Sequence, residues 1–238
     1  MAPDAQGTVD RDSGKRLAGS AAAKMIGDDM VIGLGTGSTV LYAMEILSGR
    51  IRNGLRIQGV PTSYQAAIRA REFNIPLTTL DEYPSLDFAI DGADQVDPAL
   101  CLIKGRGAAQ LREKCVAAAA GRFIVVIDAG KLVTALDTAV PVEVLPFAVR
   151  PVMEAVRVAG GVPVIREGIK KDGPVITDNG NMVLDCSFGA IRDPERLERE
   201  LSMIPGVLCS GIFSAFTKKT TVIAGGAEGV RMLAQCLR

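Results

Sequence analysis

From Asp28 to Val40 the chain reads DDMVIGLGTGSTV: a short apolar run, a glycine-punctuated loop and the start of a helically spaced segment. An apolar run this short, bounded by turn residues, fits a buried strand, and the glycines permit a tight turn onto the helix TVLYAMEILSG, with Gly49 as its expected stop. The unit recurs along the first half of the chain. LRIQGVPTS reads as a strand, YQAAIRAREFN as a helix, IPLTTL as a short strand, and SLDFAI as a strand running into DGADQVD. KGRG then opens the helix AAQLREKCVAAAAG near Ala108, and RFIVVIDAGK is nearly continuously apolar, as strands buried on both faces are. An Ala-rich helix over Lys15–Ile26 precedes the series. Alternating strands and helices require a parallel sheet with helices on both faces.

After Leu136 the pattern changes. PVEVLP, AVRPVMEAVRVAGG and VPVIRE read as strand, helix and strand. PVITDNGNMVLDCSF follows as a hairpin about Asp178-Asn179-Gly180-Asn181, and then a helix capped by Asp193 with Pro194 in its first turn. This is a small α+β unit. The tail LCSGIFSAFTKKTTVIAGG and AEGVRMLAQCLR returns to strand and helix and is expected to rejoin the first sheet. The expected division is therefore 1–136 plus 208–238 for the α/β domain and 137–207 for the small one.

Composition narrows the function. Lys plus Arg equals Asp plus Glu at 27 each, so no global field draws the protein to nucleic acid or an anionic membrane. Aromatics are 4% and Trp is absent, which leaves few stacking platforms for single strands. A small-molecule partner is expected. Histidine is absent, which removes His-based nucleophile schemes, His-ligated zinc and imidazole acid-base work. The five cysteines, Cys101, Cys115, Cys186, Cys209 and Cys236, form no CxxC pair and are read as buried thiols in a reducing compartment. MAPDAQGTVDRDSG has no apolar h-region, and no apolar run approaches the roughly 18 residues of a membrane span. A cytoplasmic address is expected, and a mature chloroplast form would read the same way.

Three constellations carry chemistry. Gly33-Leu34-Gly35-Thr36-Gly37-Ser38-Thr39 misses the dinucleotide fingerprint, because Ser38 stands at the sixth position and no acid ends the second strand. It also lacks the Lys of a P-loop. What remains is a turn whose amides, with the hydroxyls of Thr36, Ser38 and Thr39, suit one phosphate, or a capped βα turn with no ligand. Asp91-Gly92-Ala93-Asp94 ends an apolar strand, where open sheets bind ligands; the two acids could face one polyol, bind Mg²⁺, or form a solvated turn. Lys104-Gly105-Arg106-Gly107 lets the backbone approach a ligand at a helix N-terminus and resembles an oxyanion cradle. Glu113, in that helix, has Ala109, Gln110, Val116 and Ala117 three and four residues away, and so no helical ion-pair partner at those spacings. Such a carboxylate is expected to have a raised pKa suited to a general base, although an ordinary solvated Glu fits the REK cluster equally. Lys15 and Lys131 read individually as surface lysines.

The motifs GLGTGST, DGADQVD, KGRGAAQLREK, DAGK, PVEVLP, TDNGN and IPGV stand in the order and spacing of type A ribose-5-phosphate isomerases. The resemblance runs from about Lys15 to Gly229. It implies an aldose-ketose isomerase that interconverts D-ribose 5-phosphate and D-ribulose 5-phosphate with no metal or organic cofactor. It also implies a Rossmann-like parallel-sheet domain with a smaller ferredoxin-like domain, in a homodimer or homotetramer. The resemblance makes Glu113 the proton acceptor, with Asp91, Asp94 and Lys104 at the reactive end. Thr36, Gly37, Ser38, Thr39, Lys131 and Lys15 fall at the phosphate end, and Gly92, Ala93, Gly105, Arg106 and Gly107 complete the substrate-binding set. Three positions depart from common family forms: Gln95, Arg106 and Ser210. A sugar-phosphate sensor and a CoA transferase of related architecture are the competing readings.

Overall fold

The computed structural model describes residues 5–235, with side chains from Asp12 onward. Cys236 and the first four residues of the N-terminal segment lie outside the described residues. In chain order the elements are α1 (Ala5–Lys24), β1 (Met30–Leu34), α2 (Ser38–Arg52), β2 (Ile57–Pro61), α3 (Tyr64–Glu72), β3 (Leu86–Asp91), β4 (Gln95–Val96), β5 (Leu102–Ile103), α4 (Gln110–Ala119) and β6 (Ala120–Asp128). They continue as β7 (Val140–Val144), α5 (Val149–Val158), β8 (Val162–Ile165), β9 (Met182–Ser187), α6 (Pro194–Ser202), β10 (Val207–Ser210), β11 (Ile212–Phe213), β12 (Thr220–Gly226) and β13 (Gly229–Ala234). No helix among the described residues is long and apolar enough to cross a membrane.

The chain forms two compact units: 1–93, 115–131 and 218–238 in one, 94–114 and 132–217 in the other. This differs from the sequence division. Residues 94–114 and 208–217, both expected in the first domain, join the second unit: β10 pairs with β7, and the β11 that follows it pairs with β5, which pairs with β4, non-local matches that no periodicity announces.

The first unit is a six-stranded sheet of order β13-β12-β6-β3-β1-β2, parallel except for β13 at the edge. Side chains alternate between its faces, as the pleat requires. Ile32, Leu34, Ile90, Ile124 and Val126 pack with Ala18, Ala22, Val40, Met44 and Leu47 of α1 and α2. Toward the other face, a Cβ on Gly33 would lie 2.2 Å from Val116 of α4, so the glycine permits that close packing. From β1 the chain goes to β2 on one side and β3 on the other. This strand-order reversal is where open α/β sheets place ligands.

The second unit holds a four-stranded antiparallel sheet of order β10-β7-β9-β8, with α5 and α6 completing a βαββαβ series. That is the ferredoxin-like arrangement. Its core joins Val140, Val142, Val144, Leu184 and Cys186 to Val152, Val156, Leu197 and Leu201 of the two helices. Asp193 caps α6 by accepting from Arg196 N at 3.0 Å, with Pro194 at the first position, as expected.

Several local expectations change. α2 runs past Gly49 to Arg52, because its buried stripe of Val40, Ala43, Met44 and Leu47 outweighs one glycine. IPLTTL contributes only a bridge between Gly59 and Leu77. The hairpin about Asp178–Asn181 reduces to the bridge between Ile176 and Met182, closed by Thr177 N to Asn181 O at 2.8 Å. GVRMLA is the edge strand β13, since Gly229 at φ +104° turns the chain back on β12.

Candidate active site

In the first unit the loop after β1 and the loop after β3 leave adjacent parallel strands at their carboxyl ends. Gly35 N donates to Ile90 O at 2.9 Å, and a Cβ on Gly35 would stand 2.1 Å from Asp91 Oδ1. Only glycine lets the two loops approach this closely. Asp91 is 2% exposed, and its Oδ1 accepts from Thr36 N at 3.2 Å and Gly92 N at 2.7 Å. Gly37, at φ +127°, precedes α2, whose start receives no side-chain cap. Its amides therefore stay available to an anion.

The hydroxyls of that loop divide differently from the expected outward row. Thr36 Oγ1 turns to Thr62 Oγ1 at 3.1 Å and Ser63 Oγ at 2.7 Å, and Thr39 is buried. Ser38 and Gly37 are exposed. Lys131 closes a 3₁₀ turn directly after β6 and is half-buried. Lys15 adjoins Gly14, whose carbonyl approaches Gly225; a Cβ on Gly225 would be 1.9 Å from it. Gly225 is in register with Asp128, three residues before Lys131, so both lysines belong to the carboxyl end of β6 and β12.

In the second unit Asp94 N donates to Ile103 O at 2.7 Å and Lys104 N to Gly211 O at 2.8 Å. These bonds hold the loop 104–107, which turns through left-handed Gly105 (φ +103°) and Ala108 (φ +58°) into α4 at Gln110. Lys104 Nζ reaches Glu113 Oε2 at 3.2 Å, with side-chain exposures of 3% and 6%. Glu113 has no ion-pair partner at helical spacing, and a cation from the preceding loop meets it in the interior. Asp94 is 23% exposed at its side chain and accepts from Arg106 N at 3.0 Å; the Arg106 side chain is 85% exposed, and its Nε is 4.0 Å from Asp94.

The two basic neighbours of Glu113 are engaged elsewhere. Arg112 donates from Nε to Asn179 Oδ1 at 2.7 Å and from Nη2 to Asp178 O at 2.9 Å. Lys114 pairs with Glu198, donates to Ile212 O at 2.7 Å, and lies 4.7 Å from the centre of the Phe213 ring. Behind Asn179, the fully buried Glu143 accepts at Oε1 from Thr177 (2.8 Å), Asn179 (3.1 Å) and Asn181 (2.8 Å). Sequence reasoning assigned Arg112, Lys114, Glu143 and Glu198 no role. The signal for Glu143 was an acid inside the apolar run VPVEVLP; the others become significant only through pairing across the unit.

Of the departures, Gln95 receives Asp137 N (2.9 Å) and Thr138 N (3.1 Å) and donates to Asp137 Oδ1 (2.6 Å), a structural tie. Ser210 is buried. Cys101, Cys186 and Cys209 are buried free thiols, whereas Cys115 is exposed, which corrects the expectation of uniform burial. Among the described residues no group of three His, Cys, Asp or Glu is placed to hold a metal ion.

Comparison with known proteins bears on these arrangements together. Residues 58–229 match the family described as ribose 5-phosphate isomerase A (phosphoriboisomerase A). A curated ribose-5-phosphate isomerase A of Methanoregula boonei is 59% identical over 228 residues, 95% of this chain and 96% of the relative. One of Thermosynechococcus vestitus is 53% identical, covering 84% and 86%. A solved D-ribose-5-phosphate isomerase in complex with phospho-erythronic acid superposes with a TM-score of 0.91 at 47% identity, covering 94% of this chain and 99% of that one. The ribose 5-phosphate isomerase A of Methanocaldococcus jannaschii superposes at 0.89 with 45% identity, covering 93% and 98%. Identity this high over nearly the whole length of both chains shows that the chain belongs to the ribose 5-phosphate isomerase A family and that the protein is an isomerase.

Proposed function

We propose that the protein interconverts D-ribose 5-phosphate and D-ribulose 5-phosphate through a cis-enediolate, with Glu113 as the base. The observation that carries this reading is the buried pair of Glu113 and Lys104 at 3.2 Å. Proton transfer between adjacent carbons needs one base that removes a proton from C2 and returns it to C1, and a cation where negative charge develops on oxygen. Glu113 is the base. Lys104 and the amides of the 104–107 loop are the charge-stabilising set.

The furanose must open first. Asp91 and Asp94 both suit that proton transfer by type, and their surroundings separate them. Asp91 is buried and already accepts two loop amides, so it shapes the loop after β1; Asp94 keeps partial exposure and is assigned the ring-opening transfer. Gly92, Ala93, Gly105, Arg106 and Gly107 are the backbone of the reactive end. Gly37, Ser38 and the amides at the start of α2, with Thr36 and Thr39 shaping the turn, take the phosphate with Lys15 and Lys131.

A positioned base contributes about 10² to 10⁴ in rate, and one oxyanion donor about 10² to 10³. Chemistry at the sugar therefore depends on the phosphate end for orientation. A solved relative is described in complex with phospho-erythronic acid, a phosphorylated sugar acid, which supports a phosphosugar as the ligand here. The proposal includes no metal or organic cofactor, and assembly as a homodimer or homotetramer, which sedimentation equilibrium reads directly. The deciding experiment follows ribulose 5-phosphate formation from ribose 5-phosphate in excess chelator. Turnover is expected; phosphosugar binding without turnover would overturn the reading in favour of a sensor.

A further inference from the structure

Arg166 follows β8, and its guanidinium is committed on two sides. Toward β9, Nε donates to Asp185 Oδ2 at 2.9 Å and Nη2 to Oδ1 at 2.5 Å, a bidentate fork on a carboxylate. Toward the loop 104–107, Nη1 donates to Gly105 O at 2.9 Å and Arg106 O at 3.1 Å. The Arg166 side chain is 15% exposed. A partly buried, fixed cation thus grips two successive carbonyls of the loop that carries Lys104.

The geometry of a peptide gives this grip a consequence. In a trans peptide the C=O and the following N–H point in opposite directions. Holding Gly105 O and Arg106 O toward Arg166 turns the N–H groups of Arg106 and Gly107 away from it. The Arg106 N–H meets Asp94 Oδ2 at 3.0 Å. The bonds therefore run in series from Asp185 through Arg166 and the 105–106 peptide to Asp94. Polarisation along such a chain strengthens each link, and the cation at the carbonyl end makes the far N–H a better donor.

We propose that Arg166, braced by Asp185, is a positioning residue for the isomerisation. It orients the Asp94 carboxylate and aims the Gly107 N–H at the oxygen that becomes negative. The proposal rests on the reading of Asp94 as the ring-opening group. Lysine cannot replace Arg166 here, because a single ammonium cannot hold a carboxylate fork and two carbonyls in one plane.

The test compares R166K, D185N, R166K/D185N and D94N, each with kcat, KM for ribose 5-phosphate and the melting temperature. R166K is expected to stay folded, to lose kcat by about 10²-fold, the usual effect of a slightly misplaced group, and to keep KM within about threefold. D185N lowers kcat in the same way by less, again with KM little changed, and the double variant is no worse than R166K, since both act through one grip. Should R166K fail to fold, D185N carries the same readouts. Wild-type kcat in the folded variants, with D94N impaired, would overturn the positioning role alone. Wild-type turnover in D94N would overturn the reading of Asp94 beneath it. A loss of kcat that only tracks loss of folded protein would mark a structural role and also overturn the proposal.

Discussion

The Lys104 ammonium and the Glu113 carboxylate face each other at 3.2 Å inside the second unit, each side chain less than a tenth exposed. A buried pair is held at the cost of desolvating both ions, so breaking it is more damaging than its net contribution suggests. E113Q and K104M are each expected to lower stability by about 3–5 kcal/mol, and the double variant by clearly less than their sum. Urea unfolding of the four proteins measures this. In the assay, E113Q is expected to lose kcat by about 10²-fold or more while KM stays within a few-fold. Near-normal kcat would remove Glu113 as the base.

Gly35 has no room for a side chain. A Cβ there would meet Asp91 Oδ1 at 2.1 Å and Asp91 Cα at 2.7 Å, both well inside contact distance. G35A is expected to cost about 1–3 kcal/mol by overpacking and to weaken phosphosugar binding by displacing the loop before α2. G92A is the control for stability, because its nearest neighbour would be 3.8 Å away. Thermal unfolding and substrate titration of the two variants separate the outcomes; equal melting temperatures would contradict the packing argument.

Burial pushes the Cys101 thiol up to about 12, with Asp97 adding to it, and burial together with Asp185 does the same for Cys186. In the unfolded chain these thiols ionise near their ordinary value of 9.0. Between those two values the unfolded state binds fewer protons than the folded one, so stability falls as pH rises. The slope approaches about 1.4 kcal/mol per pH unit for each thiol that is fully ionised only when unfolded. Denaturation curves from pH 8 to about 11 are expected to show this decline. The slope should shrink in C186A. At neutral pH a thiol-modifying reagent is expected to label the exposed Cys115 before Cys101 or Cys186.

Glu143 gathers the side chains of Thr177, Asn179 and Asn181 on one oxygen, and Asn179 in turn receives Arg112. E143A strips three donors of their acceptor, at about 1–3 kcal/mol for each that stays buried and unpaired. Thr177 and Asn181 are buried, so a loss of at least about 2 kcal/mol is expected, with lower kcat, because Arg112 neighbours Glu113 in α4. Urea unfolding and steady-state rates check both; a stability change below 1 kcal/mol would show that water replaces the carboxylate freely.

Much of the α/β framework was legible because a buried parallel strand must be apolar throughout and a βα turn needs glycine. β1, β3 and β6 lie where VIGL, LDFAI and FIVVID place them. Local rules failed where a distant partner decided. GVRMLA carries helical spacing yet forms a strand, since β12 offers an unpaired edge that β13 completes. Residues 94–114 and 208–217 read as parts of the first domain yet belong to the second unit, through the pairing of β10 with β7 and of β11 with β5.

The same division holds for the candidate residues. By itself the sequence determined their kinds: acids after an apolar strand, a lysine leading a glycine-punctuated loop, a Glu on an Ala-rich helix, and no imidazole to do their work. Residue type and spacing along one helix or strand follow from local chemistry, so they can be read from the chain. That Lys104 faces Glu113, that Asp91 is closed in by Gly35 and two amides, and that Arg166 grips the loop bearing Lys104 were decided only by the tertiary structure. Each joins groups brought together by burial and strand pairing, and the energy of a buried charge depends on what surrounds it in space.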